Sequence, residues 1–232
     1  MQEGVDVPKP LVRVQDEPMI ERLVRVFHDC DAEEVVVVTN DLSPLTRQHL
    51  ETLRPRYPRL RVVVRTTPSS MHSFHALMPL LGSGKFCLTT VDTIFRESEF
   101  HAFVHAFEAC PDDGLMAVTD YIDDEKPLYV STDPRLRITG FHDTLEAFAT
   151  SSAGSDGTSV CRYISGGIYG LDDRCFATLD RCMASGVARM RNFQRQLVAD
   201  GLRLTAYPFR KILDVDHAID IAKAETFLNT PS

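Results

Sequence analysis

The sequence contains no tryptophan, and its six cysteines at 30, 87, 110, 161, 175 and 182 form neither a C-x-x-C pair nor a zinc-ligand spacing. That argues against a redox dithiol motif and a structural zinc site. Cysteines in apolar stretches such as Lys85-Phe86-Cys87-Leu88 are expected to be buried, reduced thiols. Without tryptophan, an aromatic cage for a quaternary ammonium such as choline lacks its best ring, although Tyr and Phe remain. No apolar run approaches the roughly 18 to 20 residues that span a bilayer, and no basic region followed by an apolar stretch opens the chain. The expectation is a cytoplasmic protein with no membrane contact. Basic residues are also in deficit: 25 Lys and Arg against 33 Asp and Glu give a net charge of −8. Nucleic-acid and anionic-membrane surfaces need clustered cations, so a small-molecule ligand fits better.

What is present suits one α/β domain over residues 1–232, since a hydrophobic share of 44% fills one sizeable core. Strand-like and helix-like segments alternate through the first half, the pattern of a parallel sheet with crossover helices. Pro18 to Asp29 reads as a helix with Ile20, Leu23, Val24 and Phe27 at helical spacing. Val35 to Val38 is a β-branched run of the kind buried on both faces of a parallel sheet. Ser43-Pro44 opens a helix, with the serine hydroxyl as cap. A strand at Leu60 to Arg65, a helix at His72 to Leu81, a strand at Phe86 to Val91 and a helix at Glu97 to Cys110 follow. Short strands then succeed one another at Leu115 to Thr119, Leu128 to Ser131 and Arg135 to Phe141. This predicts a small antiparallel region. Thr150 to Thr158 reads as a flexible surface loop, Val160 to Tyr169 as a strand, and 173–199 as helices interrupted at Gly186. Leu202 to Tyr207 is a last strand and Ala218 to Leu228 a closing helix.

Three constellations carry chemistry. Lys9, between Pro8 and Pro10, sits in an extended segment where its ammonium can serve as a point charge for phosphate or remain solvated surface. Asp92 ends an apolar strand, Thr89-Thr90-Val91-Asp92, at the sheet edge that faces ligand in open α/β folds. It can hold a divalent cation there or cap the next helix. Asp214 and Asp216, in Leu213-Asp214-Val215-Asp216-His217, can share one ion or cap the helix near Ala218. Mg²⁺ commonly takes one or two carboxylates together with substrate phosphate oxygens.

In this order the three constellations resemble nucleotidyltransferases with a glycosyltransferase-A-like fold, the sugar-phosphate nucleotidylyltransferase and MobA-like group, from about Val7 to Leu228. The resemblance implies a Rossmann-like mixed, mainly parallel sheet flanked by helices. It also implies a nucleotide-binding half (1–111) and an acceptor-binding half (112–232) carrying the second metal ligands. The implied reaction transfers a nucleoside monophosphate from a triphosphate to a sugar phosphate or similar small phosphorylated acceptor, releasing pyrophosphate with Mg²⁺. Lys9 and Asp92 match the catalytic positions, and Asp92, Asp214 and Asp216 the metal ligands. Lys9 with Ser70 and His72, in Ser69-Ser70-Met71-His72-Ser73, falls where relatives contact the nucleotide. Ser165-Gly166-Gly167-Ile168-Tyr169 looks like the segment beside the acceptor, with Ser165 where Asn is more frequent, and Lys211 is a further candidate phosphate contact.

The departure from the family is at the front. Members begin with a central strand running into a G-x-G-x-R loop whose amides cradle the triphosphate, and neither precedes Lys9 here. The expectation is that the chain starts at an internal methionine, with a vacant slot beside Val35 to Val38 and Phe86 to Val91. Two rivals stand beside this reading: a nucleotide-binding module without catalysis, and glycosyl transfer, which usually needs D-x-D where this chain has Thr90-Val91-Asp92.

Overall fold

The computed structural model describes residues 7–123, 125–152 and 159–230. Pro8 and Pro10 shape a tight turn at Lys9–Leu11, which leads into a hairpin of β1 (Arg13–Val14) and β2 (Glu17–Pro18). Its corner residues Gln15 and Asp16 take φ of 52° and 62°, the left-handed geometry that matches strand twist in a two-residue turn. Helix α1 (Met19–Asp29) starts one residue after the predicted Pro18 and buries Met19, Ile20, Leu23, Val24 and Val26. There follow β3 (Val35–Thr39), α2 (Pro44–Leu53), β4 (Leu60–Val64), α3 (Ser70–Leu77), β5 (Lys85–Thr89), β6 (Thr93–Ile94) and α4 (Glu97–Ala109). The second half runs β7 (Gly114–Thr119), β8 (Tyr129–Thr132), β9 (Ile138–His142), α5 (Leu145–Ser152), β10 (Val160–Asp172), α6 (Cys175–Ala184), α7 (Met190–Ala199), β11 (Leu204–Phe209), β12 (Leu213–Asp214) and α8 (Ala218–Asn229).

Several local expectations change. The Ser43 hydroxyl meets the Thr46 hydroxyl at 2.6 Å rather than capping a backbone amide. The helix predicted over His72 to Leu81 ends at Leu77 and tightens into a 3-10 turn around Pro79, whose ring cannot continue an α-helix. Of the loop predicted over Thr150 to Thr158, helix α5 takes the first three residues, and 153–158 lie outside the described residues.

A six-stranded sheet has the order β11-β7-β10-β8-β9, with β5 also paired to β10. The parallel ladder expected from alternation in the first half is β3–β4, and a second parallel ladder, β7–β11, falls in the half read as antiparallel. Long β10 runs antiparallel to β5, β7 and β8, so the sheet is mixed, with more antiparallel pairing than alternation alone predicts. Strand β7 shows why the sheet is sandwiched. Met116 and Val118 point to a core shared with Phe74 of α3, Leu179 of α6 and Phe193 of α7. Leu115 and Ala117 point to the opposite core, with Leu23 of α1 and the Phe100, Phe103 and Phe107 stripe of α4. Side chains alternate faces along a strand, so an all-apolar strand must be covered on both sides.

The valine run of β3 departs from its expected double burial. Val35 to Val38 are half-buried, and among the described residues β4 is the ladder partner of β3 and β10 that of β5. Between β3 and β5 lies an elongated cleft of about 1140 Å³ that reaches from Val35 and Cys87 to Ser165 and Asp214.

Candidate active site

The site is assembled by a two-residue ladder. Thr93 of β6 pairs with Asp214 of β12, and Ile94 with Leu213. Next to it the Val215 amide donates to the Asp92 carbonyl at 3.0 Å. These bonds lock the end of the segment after β5 to the segment before α8, which brings Asp92 beside Asp214 to Asp216. Buried Leu213, Val215 and Ile94 anchor the junction against Val12 and Val14, which places the Lys9 turn over it.

The Lys9 ammonium lies between two carboxylates, donating to Asp92 Oδ2 at 2.5 Å and to Asp216 Oδ1 at 2.6 Å. Burial by itself would lower the lysine's pKa. Asp92 and Asp216 outweigh it and hold the ammonium above its ordinary value, so Lys9 is charged at neutral pH. The capping alternatives fall away for both acids. The helix after Asp92 starts at Glu97 with Arg96 at its cap position. The start of α8 is served by Asp220, whose carboxylate accepts from the His217 and Asp216 amides at 2.9 and 3.2 Å.

Two carboxylates converging on one cation suit a hard divalent ion that completes its shell with phosphate oxygens and water. Asp92 and Asp216 therefore fit Mg²⁺. Asp214 does not join them in one three-carboxylate group: among the described residues no cluster of three or more His, Cys, Asp or Glu side chains could hold a metal. Asp214 instead lines the cleft.

Across the cleft, the register of β10 against β7 shifts between Ser165 and Tyr169. The bulge is built from the two glycines. A Cβ on Gly166 would stand 2.3 Å from Ile212 Cδ1, and Gly167 takes φ of +71° beside Thr93. The irregularity turns Ser165, Gly167 and Tyr169 towards the cleft. Behind them sits Gln194 of α7, buried to 3% exposure. The Ser165 hydroxyl donates to Gln194 Oε1 at 2.9 Å, and Gln194 Nε2 reaches the Tyr169 hydroxyl at 3.5 Å. Burial pushes the Tyr169 phenol up to about 12, so it stays a neutral hydrogen-bonding group.

The remaining predicted residues divide. Ser70 lines the cleft together with Ser69 and Ser73. His72 does not line it, and its Nδ1 pairs with Ser69 Oγ at 2.8 Å. Lys211 is not among the cleft-lining residues and stacks its ammonium over the Tyr121 ring, 3.9 Å from the centroid, and over Phe227 at 5.4 Å. Sequence reasoning missed Gln194, Arg189 and Arg191, which all line the cleft. Gln194 left one signal, a polar residue between Phe193 and Leu197 on the apolar face of a helix.

A mixed sheet lies between helices, and the Lys9, Asp92 and Asp216 group sits next in sequence to Pro10, Val91 and Asp214, which line the cleft. The MobA-like NTP transferase domain matches residues 1–199, and the chain belongs to that family. It is accordingly a nucleotidyltransferase. No curated protein matches it in sequence. Among solved structures it is similar to the inositol-1-phosphate CTP transferase of T. maritima, with a TM-score of 0.74 and 16% identity over 97% of this chain and 89% of that one. A protein of Bacillus anthracis assigned as a glucose-1-phosphate thymidylyltransferase aligns with a TM-score of 0.78 and 15% identity, over 97% and 88%. The CTP:phosphocholine cytidylyltransferase of Streptococcus pneumoniae aligns with a TM-score of 0.70 and 15% identity, over 97% and 91%. At these identities the likeness is one of fold.

Proposed function

We propose that the protein transfers a nucleoside monophosphate from a nucleoside triphosphate to a sugar phosphate or similar small phosphorylated acceptor, in a single catalytic domain working in the cytoplasm. The observation that carries this reading is the Lys9 ammonium clasped by Asp92 and Asp216, next to Asp214, which lines the cleft together with Ser165 and Gly167. An acceptor phosphate is already ionised near neutral pH, so its oxygen attacks the α-phosphorus without a general base, and pyrophosphate leaves. Lys9 then has two tasks. Without substrate it neutralises the paired acids, and with substrate its ammonium turns to the charge growing on the α-phosphoryl oxygens. Asp92 and Asp216 would hold Mg²⁺, which when bound supplies charge neutralisation between phosphates. Asp214, Ser165, Gly167 and Tyr169 orient the acceptor, while Ser70 and its serine neighbours face the nucleotide.

The same reading assigns the part of the cleft lined by Val35 to Val38, Cys87 and Leu88 to a further strand that leads into a glycine-rich phosphate loop, and leaves the part lined by Ser70, Ser165 and Asp214 to the substrates. Half-exposed Val35 to Val38, facing the cleft across from Cys87 and Leu88, support it, because β-branched strands of this kind are normally paired and covered.

The experiment is a panel of CTP, UTP, dTTP, GTP and ATP against glucose 1-phosphate, inositol 1-phosphate and phosphocholine with Mg²⁺, following pyrophosphate. Acceptor-dependent pyrophosphate release supports the proposal. Nucleotide binding without release in any pairing would favour a binding module. Sugar transfer from a nucleotide-sugar would favour the glycosyltransferase reading.

A further inference from the structure

Three cations line the cleft: Lys85, Arg189 and Arg191. Lys85 is committed elsewhere, donating to the carbonyls of Phe107, Glu108 and Cys110 at 2.7 to 2.9 Å, where it caps the end of α4. The two arginines are placed differently. They stand at the start of α7, within the stretch that supplies Gln194, and they line both the main cleft and an adjoining cavity of about 630 Å³. That second cavity is also lined by Arg195 and Lys126 and by three acids, Glu125, Asp143 and Glu146.

The charge pattern there is unusual for a helix start. Arg189 occupies the cap position, Arg191 follows in the first turn, and that turn carries no acid. Cations at a helix N-terminus oppose the positive end of the helix dipole, so this arrangement is favourable only when a negative charge sits against it. One carboxylate does part of that. Asp143 Oδ1 accepts from Arg191 Nη1 and from Arg195, each at 2.7 Å. Arg191 Nη2 donates to the Lys126 carbonyl at 2.9 Å, which fixes the guanidinium plane. The exposed Arg189 guanidinium has no partner among the described residues. One carboxylate is therefore shared by two arginines while a third cation next to them is unpaired.

We propose that Arg189 and Arg191 form a clamp for the phosphate of the acceptor, between the Ser165 to Tyr169 strand and the second cavity, which takes the part of the acceptor remote from that phosphate. This rests on the acceptor reading given above. A guanidinium suits the task because its planar fork binds phosphate oxygens in pairs and remains charged at any working pH. Asp143 acts as a placeholder that holds Arg191 and Arg195 in position in the absence of ligand.

The clamp and a purely structural arginine–aspartate pair give opposite signs on substitution. Binding of glucose 1-phosphate and of inorganic phosphate to the full chain would be followed by calorimetry, with CTP as a separate ligand. Arg189→Gln and Arg191→Gln should each weaken phosphate-probe binding at least about fivefold, as loss of a partly screened charge contact does. Asp143→Asn should tighten it, because it releases Arg191 and Arg195 from their competitor. CTP binding should change by less than about twofold in all three. The inference is overturned if Arg189→Gln binds both probes as the parent does, if Asp143→Asn weakens binding as much as Arg191→Gln, or if the parent binds neither probe. CTP binding reports separately on the functional reading: a parent that binds CTP but no phosphate probe loses the clamp alone, and one that binds none of them loses both.

Discussion

The bulge in β10 makes a quantitative prediction about Gly166. An alanine there puts its methyl 2.3 Å from Ile212 Cδ1 and 3.2 Å from the Ala117 carbonyl oxygen. Ile212 is 7% exposed and packed in the core with Phe209 and the α4 phenylalanines, so it has little room to retreat. Overpacking of this kind costs about 1–3 kcal/mol. For a chain of this size each kcal/mol lowers Tm by roughly 2–4 °C, so a Gly166→Ala loss of ~2 kcal/mol corresponds to roughly 4–8 °C. Ile212→Val removes Cδ1, the atom in collision, and on its own costs ~1 kcal/mol. If that collision is the cause, the double variant should cost about as much as Ile212→Val alone, a favourable coupling of ~2 kcal/mol. Urea denaturation followed by far-UV circular dichroism, with the slope against denaturant unchanged, is the assay. A double variant within ~0.5 kcal/mol of the sum of the singles would refute the argument, because the strain would then lie in the backbone and not at Ile212 Cδ1.

Asp92→Asn should abolish Mg²⁺-dependent pyrophosphate release with little loss of stability, since the half-exposed carboxylate contacts Lys9 more than it packs; a folded variant with parental turnover would remove Asp92 from the site. The thiols of Cys175 and Cys182 should alkylate far more slowly at pH 8 in the native protein than in urea, because both are buried in the core and burial pushes them up. Their neutral forms contribute stability that is complete below the ordinary thiol value of 9.0 and is lost as pH rises towards the higher folded values, so unfolding midpoints should fall as pH rises above 9.0. Native labelling as fast as in urea would contradict that burial.

The order and type of the main elements were legible in the sequence because they rest on local rules. The helical spacing of Ile20, Leu23 and Val24 makes a buried helix face wherever the chain later goes. A continuous apolar run such as Leu115 to Val118 demands cover on both faces, and it is fully buried. The candidate chemistry was legible as types: a lysine held by prolines and acids at strand ends. Tertiary structure decided which of them meet. Lys9 joins Asp92 across 83 positions and Asp216 across 207. That convergence depends on the β6–β12 register, and two-residue strands carry no periodicity from which a register can be read. The same limit hid Gln194, Arg189 and Arg191, whose positions are set by how α7 packs over the bulge in β10. Tertiary structure also decided the burial of Val35 to Val38: local composition specifies a strand, whereas the number of neighbours that bury it is a property of the whole sheet.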